Sequence, residues 1–313
     1  MALLYSHSRF LDHDTGQHPE RPERLRQVVR HLQRTGLDER CEKVAWTEIS
    51  ESRMALVHDP QYLAHLSQFA AQGGGRIEQD TLVSDASYEV ARLAAGAACD
   101  AVERVVAGDH QQALCLSRPP GHHALRRGAM GFCLLNHVAL AARVATAELE
   151  IDRVLIVDWD VHHGNGTQET FWKDEQVGFF SIHRWPFYPG TGAGDETGSG
   201  AGLGTIRNVP LEFGVSRESY LEHFAHELRH FADRIQPQLV LLSAGFDSHR
   251  DDPVGSLGLE TEDFESLTRV VQEVAATHAA GRLVSVLEGG YNPGVLAGCV
   301  EVHLRTLLEP GDS

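Results

Sequence analysis

The chain is poor in basic residues. Its 313 residues carry 27 Lys and Arg against 44 Asp and Glu, which gives a formal net charge of −17. Proteins that bind nucleic acid through its phosphates present clustered positive charge, so this balance excludes an ordinary nucleic-acid-binding surface. Hydrophobic residues at 42% and charged residues at 23% are typical of globular proteins. We expect one large domain over residues 1–313, because no linker or repeat divides the chain.

Long hydrophobic runs are also absent. The longest uncharged stretch, residues 128–142, contains Asn136 and His137 and is too short to span a bilayer. The first ten residues lack the apolar core of a signal peptide. The sequence therefore predicts a soluble cytoplasmic protein with no membrane partner.

Cysteine is scarce, and its spacing is not that of a structural motif. The five cysteines are odd in number, widely separated and contain no Cys-x-x-Cys. This pattern excludes a disulfide framework and argues against a thiolate zinc site. We expect reduced, mostly buried thiols.

Helical and strand patterns alternate along the chain. The amphipathic segments predicted as helices are residues 19–35, 61–71, 87–107, 136–149, 216–235, 261–280 and 293–308. The short apolar runs predicted as strands are residues 3–5, 44–46, 113–117, 154–157, 177–182, 205–209, 239–243 and 283–287. Continuous apolar character indicates strands that are buried on both faces. The alternation predicts a single-domain α/β protein with three α/β/α layers around a mostly parallel eight-stranded sheet.

Four polar clusters directly follow predicted strands. They are Arg118-Pro-Pro-Gly-His122-His123, Asp158-Trp-Asp160-Val-His162-His163-Gly-Asn165-Gly, Gly245-Phe-Asp247 and Glu288-Gly-Gly-Tyr291-Asn292. The carboxyl ends of parallel strands open on one edge of a sheet, where α/β proteins place their active sites. The clusters are therefore expected to meet in space.

The residue types in these clusters suit a catalytic divalent metal. Asp160 and His162, two positions apart in extended chain, point the same way, and Asp247 supplies a second carboxylate from another strand. Three protein ligands leave a position open for water, which favours Zn²⁺, with Fe²⁺ or Co²⁺ as alternatives because two carboxylates weaken the preference for zinc. Taken singly, loop aspartates more often cap turns.

A hydrolytic reaction at such a metal also needs a base, an acid and an oxyanion donor. His122 and His123 are candidates for the base and the acid. Asp158 and Asn165 are candidates to orient them, and a charged partner raises a histidine pKa where an amide does not. Tyr291, beside flexible Gly290, is a candidate hydrogen-bond donor to the oxyanion, although a lone tyrosine in a turn is more often a surface residue.

Two other motifs fit an active site less well. His226-Glu227-Leu-Arg-His230 matches the His-Glu-x-x-His pattern of zinc proteases, but both histidines fall opposite the apolar face of their helix and are expected to face solvent. The glycine-rich segment 190–204 lacks the spacing of a nucleotide-binding loop. We expect it to be a long flexible loop.

The motifs together resemble those of the zinc-dependent histone deacetylase superfamily, in particular bacterial class II-like histone deacetylases and acetylpolyamine amidohydrolases. The resemblance covers nearly the whole chain. The matching motifs, in the family's order, are His18-Pro-Glu-Arg-Pro22, the four clusters above extended to Gln168 and Ala244, and Tyr188-Pro-Gly-Thr-Gly192. It implies an arginase-like α/β fold and a metal-dependent deacetylase.

Carried over by position, the resemblance implies a role for each matching residue. The zinc ligands would be Asp160, His162 and Asp247. The base and the acid would be His122 and His123, oriented by Asp158 and Asn165. Tyr291 would polarise the acyl carbonyl. A structural K⁺ would be bound by Asp158 and by backbone oxygens of Asp160, His162, Ser181 and Ile182. Substrate would contact Gly131, Phe132, Tyr188 and Gly289, although Trp185 and Phe187 lie close to Tyr188 in sequence.

The sequence favours one class of substrate but leaves alternatives open. Polyamine-selective relatives carry an acidic residue in the Asp-Pro-x-Gly loop, where this chain has Val254. Valine favours an acylated lysine peptide or protein, with acetylpolyamine or another acylated small amine as the alternative. A zinc-containing module that binds acylated ligands without turnover is the non-enzymatic alternative. The oligomeric state, including a homo-oligomer, stays open.

Overall fold

The computed structural model describes residues 2–309, so Met1 and residues 310–313 of the predicted domain lie outside the described residues. Its core is a parallel eight-stranded sheet in the order β2-β1-β5-β10-β9-β6-β7-β8. The strands of this sheet are β1 (Leu3–Tyr5), β2 (Glu42–Lys43), β5 (Gln112–Cys115), β6 (Val154–Asp158), β7 (Val177–Arg184), β8 (Ile206–Leu211), β9 (Leu239–Ala244) and β10 (Leu283–Leu287). A small antiparallel hairpin is formed by β3 (Gly75–Arg76) and β4 (Leu82–Val83).

Helices cover both faces of the sheet. They are α1 (Pro22–Thr35), α2 (Glu51–Met54), α3 (Pro60–Ala71), α4 (Ser87–Ala107), α5 (His137–Glu148), α6 (Asn165–Phe171), α7 (Arg217–Ile235), α8 (Asp263–His278) and α9 (Pro293–Leu307). Helices α1, α7, α8 and α9 share one hydrophobic core with the sheet. Helices α3, α4, α5 and α6 share the other. The predicted three-layer fold with a parallel eight-stranded sheet is confirmed.

The central strands could be predicted from their continuous apolar sequence because they are buried on both faces. Every residue of β6, β9 and β10 is buried, as expected for central strands that pack helices on both sides. All seven predicted helices are present, with their ends shifted by at most three residues. None of the helices within residues 2–309 has the length and apolar character needed to cross a bilayer.

One predicted strand is wrong, and some elements were not predicted. Residues 44–46 form no strand; the edge strand β2 is the exposed pair before them. The apolar run instead packs on the core, where Trp46 lies edge-on to Tyr5 and donates its indole N–H to the carbonyl of Leu93. Helix α6 was not predicted because Gly164 and Gly166 obscure its hydrophobic periodicity. Helix α2 and the β3–β4 hairpin are too short to show a hydrophobic period.

Candidate active site

The four predicted clusters meet at the carboxyl edge of the sheet. The loops after β5, β6, β9 and β10 bring Asp160, His162, Asp247 and the His122–His123 pair together in a buried centre. Ligand atoms of Asp160, His162 and Asp247 lie within 4.8 Å of one another. Nδ1 of His162 is 3.0 Å from Asp160 Oδ1 and 3.2 Å from Asp247 Oδ2. The sequence thus located three side chains that are able to hold one cation.

The charges in this group are poorly balanced without a cation. Burial and the neighbouring charge of Asp160 raise the pKa of Asp247 to about 7. Asp247 Oδ2 is buried and has no well-aligned hydrogen-bond donor among the described residues, its nearest candidate being Nδ1 of His162 at 3.2 Å, whereas Oδ1 accepts the Val161 N–H at 2.9 Å. A buried carboxylate oxygen without a donor fits a metal ligand, because an uncompensated buried charge is otherwise costly. The donor set therefore fits a divalent cation.

Two glycines leave the space that these carboxylates occupy. A Cβ on Gly245 would lie 2.1 Å from Asp160 Oδ2, and one on Gly289 would lie 2.2 Å from Asp247 Oδ2. The Gly289 N–H donates to Asp160 Oδ2 at 2.9 Å. The backbone N–H of Gly289, a residue expected to contact substrate, thus supports Asp160, a candidate metal ligand.

The two histidines have different partners, as the sequence predicted. Nδ1 of His122 donates to Asp158 Oδ2 at 2.9 Å, and Nδ1 of His123 donates to Asn165 Oδ1 at 2.7 Å. Burial opposes the His122 cation, but Asp158 and Asp160 outweigh it and hold the pKa of His122 well above its usual range. Burial, with help from the adjacent imidazoles, lowers the pKa of His123 well below its usual range. The surroundings of the two rings therefore shift their pKa values in opposite directions.

Tyr291 lies in the same buried centre. Its ring is edge-on to Phe132 at 5.5 Å, and the guanidinium of Arg24 lies 4.7 Å from its ring centre. Burial raises the pKa of its hydroxyl well above the usual range, so the group is a neutral hydrogen-bond donor. Asp252 accepts the Tyr291 backbone N–H at 2.6 Å and so fixes this part of the loop.

Aromatic rings surround the histidines on the open side. The ring of Tyr188 is edge-on to His123 at 5.3 Å, and His18 is edge-on to Phe132 at 4.5 Å. Gly131 has a positive φ, and a Cβ there would lie 2.3 Å from the ring of His123. Among the expected substrate residues, Gly131 and Tyr188 therefore lie beside His123, and Phe132 lies against His18 and Tyr291.

The residues expected to bind K⁺ lie next to the metal-ligand group. Asp158 and Ser181 are register partners on β6 and β7, and Ile182 follows on β7. Asp158 Oδ1 accepts the N–H of Asp160 at 3.0 Å. Backbone atoms of all five expected residues are therefore concentrated on two adjacent strands and one loop.

The protease-like motif lies on an exposed helix face, and the glycine-rich segment contacts His163, the residue after His162, through Thr191. His226 and His230 are exposed on α7, opposite its buried Phe224 and Leu228, so they do not join the site. In segment 190–204 the carboxylate of Glu196 accepts hydrogen bonds from Gln168 and from the backbone N–H of Gly192, which anchors this loop.

Comparison with known proteins identifies the family of the chain. A profile described as the histone deacetylase domain matches residues 18–307. The chain belongs to the histone deacetylase family. The histone deacetylase-like amidohydrolase of Pseudomonas aeruginosa is 37% identical over 90% of this chain and 74% of that protein. Human polyamine deacetylase HDAC10 is 40% identical over 98% of this chain, which spans 48% of the human protein. The crystal structure of the HDA15 HD domain matches with a TM-score of 0.93 at 36% identity, over 98% of this chain and 88% of that one.

These matches confirm the family, the fold and the amide-hydrolase class that the sequence predicted. Sequence reasoning gave no role to Glu288, whose carboxylate accepts the backbone N–H groups of Gly121 and His122. Nor did it explain Glu20, which is buried in a bidentate pair with Arg118 and also binds Arg24. The sequence did offer one indication of these buried charges: Glu20 and Glu288 each lie inside a motif, directly beside a proline or a glycine.

Proposed function

We propose that this chain is a zinc-dependent amidohydrolase that removes acetyl or other acyl groups from acyl-lysine side chains, with one catalytic domain over residues 1–313. The observation that carries the proposal is the buried meeting of a three-ligand group, two histidines with different partners and Tyr291. A module that only binds acylated ligands would not require the His122–His123 pair or the Tyr291 hydroxyl. The names of the relatives, an amidohydrolase and a polyamine deacetylase, support the same chemistry.

Asp160, His162 and Asp247 would hold the cation. Zn²⁺ suits one imidazole and two carboxylates, and Fe²⁺ or Co²⁺ are alternatives with the same ligands. When bound, the cation would supply a Lewis acid that polarises the acyl carbonyl and lowers the pKa of water. We further propose that K⁺ binds at Asp158 and the backbone oxygens of Asp160, His162, Ser181 and Ile182.

His122 accepts a proton from the attacking water, and His123, protonated at Nε2 in the reacting state, donates that proton to the departing amine. The proton gained by His122 then returns to His123, which restores both rings for the next turnover. Asp158 and Asn165 hold the two rings by their Nδ1 atoms and so leave both Nε2 atoms for proton transfer. In the metal-free chain the carboxylate charges keep His122 protonated. With a dication held by Asp160, His162 and Asp247, that carboxylate charge would be offset and His122 would return toward its neutral form.

Tyr291 donates its hydroxyl proton in a hydrogen bond to the oxyanion that forms when water adds to the carbonyl. The phenol keeps its proton because it is buried. Gly131, Phe132 and Tyr188 enclose the acyl-amine chain and exclude water, and Gly289 closes the inner end by supporting Asp160. The collapse of the tetrahedral species releases the carboxylic acid and the amine.

The substrate assignment rests on Val254. A neutral residue in the Asp252–Gly255 loop favours acyl-lysine over an acylated polyamine, whose second ammonium would need an acidic partner. Acetylpolyamine is the second candidate, because one relative at 40% identity is named a polyamine deacetylase. We also propose a cytoplasmic location, supported by five cysteines that are all unpaired and buried.

Parallel assays of the purified, metal-analysed protein separate these substrates. An acetyl-lysine peptide and N-acetylputrescine are offered with and without a hydroxamate chelator. Chelator-sensitive turnover of the peptide, with Val254→Glu shifting the preference toward the polyamine, supports the proposal. Turnover of the polyamine alone shows that Val254 does not select against polyamines. One bound metal with no turnover of these or of longer acyl groups supports the binding module.

A further inference from the structure

Arg184, the last residue of β7, lies between two aromatic rings. Its guanidinium carbon is 4.1 Å from the ring centre of Phe187 and 4.3 Å from that of Phe213. Nη1 donates to the carbonyl of Gly255 at 3.2 Å, whereas Nε is buried with no acceptor among the described residues. The planar guanidinium is therefore held mainly by its two faces.

The stack continues inward to the proposed metal ligand. The Phe187 ring is nearly parallel to the imidazole of His162, with an interplanar angle of 16° and ring centres 5.2 Å apart. From the surface inward the order is Phe213, Arg184, Phe187 and His162. Phe213 is 66% exposed, so the outer end of the stack is open to solvent.

The hydrogen bonds of His162 leave its orientation to this stack. Its ring contacts with Asp160 and Asp247 are both made by Nδ1, which faces the ligand group. A ligating histidine is commonly oriented by an acceptor on its other nitrogen. Within residues 2–309 the structure gives no such acceptor for Nε2 of His162. Among these residues Phe187 provides the one ring stacked on the imidazole, while His123 and Tyr188 lie edge-on to it at 5.8 and 6.0 Å.

Arg184 also ties together the chain segments around the site. Its backbone N–H donates to the carbonyl of Val161, the residue between the two ligands of the β6 loop, at 2.9 Å. Its side chain reaches Gly255 in the loop whose Asp252 accepts the Tyr291 N–H. A substitution that keeps the backbone bond but removes the guanidinium therefore isolates the contribution of the stack.

We propose that Arg184 is a positioning residue for metal binding, which acts by holding Phe187 against the imidazole of His162 with Phe213 as its outer support. This inference rests on the proposed role of His162 as a metal ligand. It makes a surface-exposed phenylalanine relevant to the affinity of a buried site.

The zinc dissociation constant, measured by competition with a chromophoric chelator, tests the proposal. We expect Arg184→Met to weaken zinc binding by about 10-fold, as for other residues that orient metal-ligating histidines. Arg184→Lys is expected to weaken it by nearly as much, because an ammonium keeps the charge but cannot stack between two rings. Phe213→Ala, at an exposed position, is expected to weaken it by about 3-fold, and the double variant by less than the product of the two single effects.

Arg234 provides a matched control on α7. It lies over the ring of Phe231 and donates to the carbonyl of Gly204, so Arg234→Met removes a similar pair of contacts away from the site. Parent affinity in both Arg184→Met and Phe213→Ala would overturn the proposal. If Arg184→Met fails to fold, Phe213→Ala alone decides. A parent protein that binds no zinc would instead overturn the proposed metal site itself, so the two failures are distinguishable.

Discussion

The side-chain oxygen of Asn165 lies 2.7 Å from Nδ1 of His123, while the carboxylate of Asp158 holds the equivalent atom of His122 at 2.9 Å. The two imidazole ring centres are only 4.0 Å apart. Two protons on adjacent buried rings repel each other, so an amide on one side and a carboxylate on the other decide which ring is charged. This asymmetry underlies the different roles that we propose for the two neighbouring histidines.

Replacing the amide by a carboxylate is expected to move the pH profile. In Asn165→Asp the added charge stabilises the His123 cation and raises its pKa, and His123 must be protonated to act as the acid, so the alkaline limb of kcat/KM moves to higher pH by about one unit. The profile of the zinc-loaded enzyme is measured beside that of Asn165→Ser, which adds no charge. An unshifted limb in Asn165→Asp would refute the proposed pairing.

Removing the phenol oxygen is expected to separate activity from metal binding. Tyr291→Phe keeps the ring against Phe132 but loses the donor to the oxyanion, so kcat falls by about 10²- to 10³-fold. Zinc content, measured by elemental analysis, stays at the parent value because the phenol is not a ligand. Turnover at the parent rate would exclude the oxyanion role.

The carboxylates of the metal-ligand group are expected to lower the stability of the metal-free protein, because they repel each other. Burial and Asp160 raise the pKa of Asp247 to about 7, so above that pH the metal-free chain holds repelling buried carboxylates. Asp247→Asn removes one charge and keeps an acceptor for the Val161 N–H. We expect zinc binding to be lost while the metal-free protein gains about 1–2 kcal/mol at pH 8 in urea unfolding. A loss of stability would show that repulsion is not the dominant effect.

Buried neutral histidines are expected to make the fold acid-sensitive. Burial lowers the pKa of His58 to about 4 and that of His303 to about 3. In the unfolded chain both titrate near 6.5, so the unfolded state binds more protons as pH falls below that value, and stability is lost between about pH 6.5 and 4. Each such histidine contributes a slope of up to about 1.4 kcal/mol per pH unit.

Urea unfolding of chelator-treated protein over that pH range measures the slope. His303→Gln is expected to reduce it by up to about 1.4 kcal/mol per pH unit, since one titrating group is removed. Equal stability at pH 7 and pH 5 would contradict the assignment of these histidines as neutral.

The sequence revealed the sheet and the meeting of the four clusters for a simple physical reason. Strands buried on both faces must be apolar throughout, and parallel order brings the loops after the strands to one edge of the sheet. The same pattern could not place β2, because an exposed edge strand has no apolar signature, and the nearby run ending at Trp46 packs without pairing.

Contacts between distant segments were beyond the sequence pattern. The pair of Glu20 with Arg118 joins residues 98 positions apart, and both side chains are fully buried. A single sequence gives each charge but not its partner. The stack of Phe213, Arg184 and Phe187 is hidden for the same reason, since hydrophobic periodicity carries no information on ring orientation.

Metal removal and reconstitution test the proposed zinc dependence most directly. The protein is stripped with a chelator, zinc is added in steps, and both bound zinc and the acetate released from an acetyl-lysine peptide are measured. We expect acetate release to rise in proportion to zinc up to one ion per chain, and Asp247→Asn to bind no zinc and release no acetate. Full activity in the stripped protein, or zinc binding unaffected in Asp247→Asn, would contradict a metal-dependent deacetylase with Asp247 as a ligand.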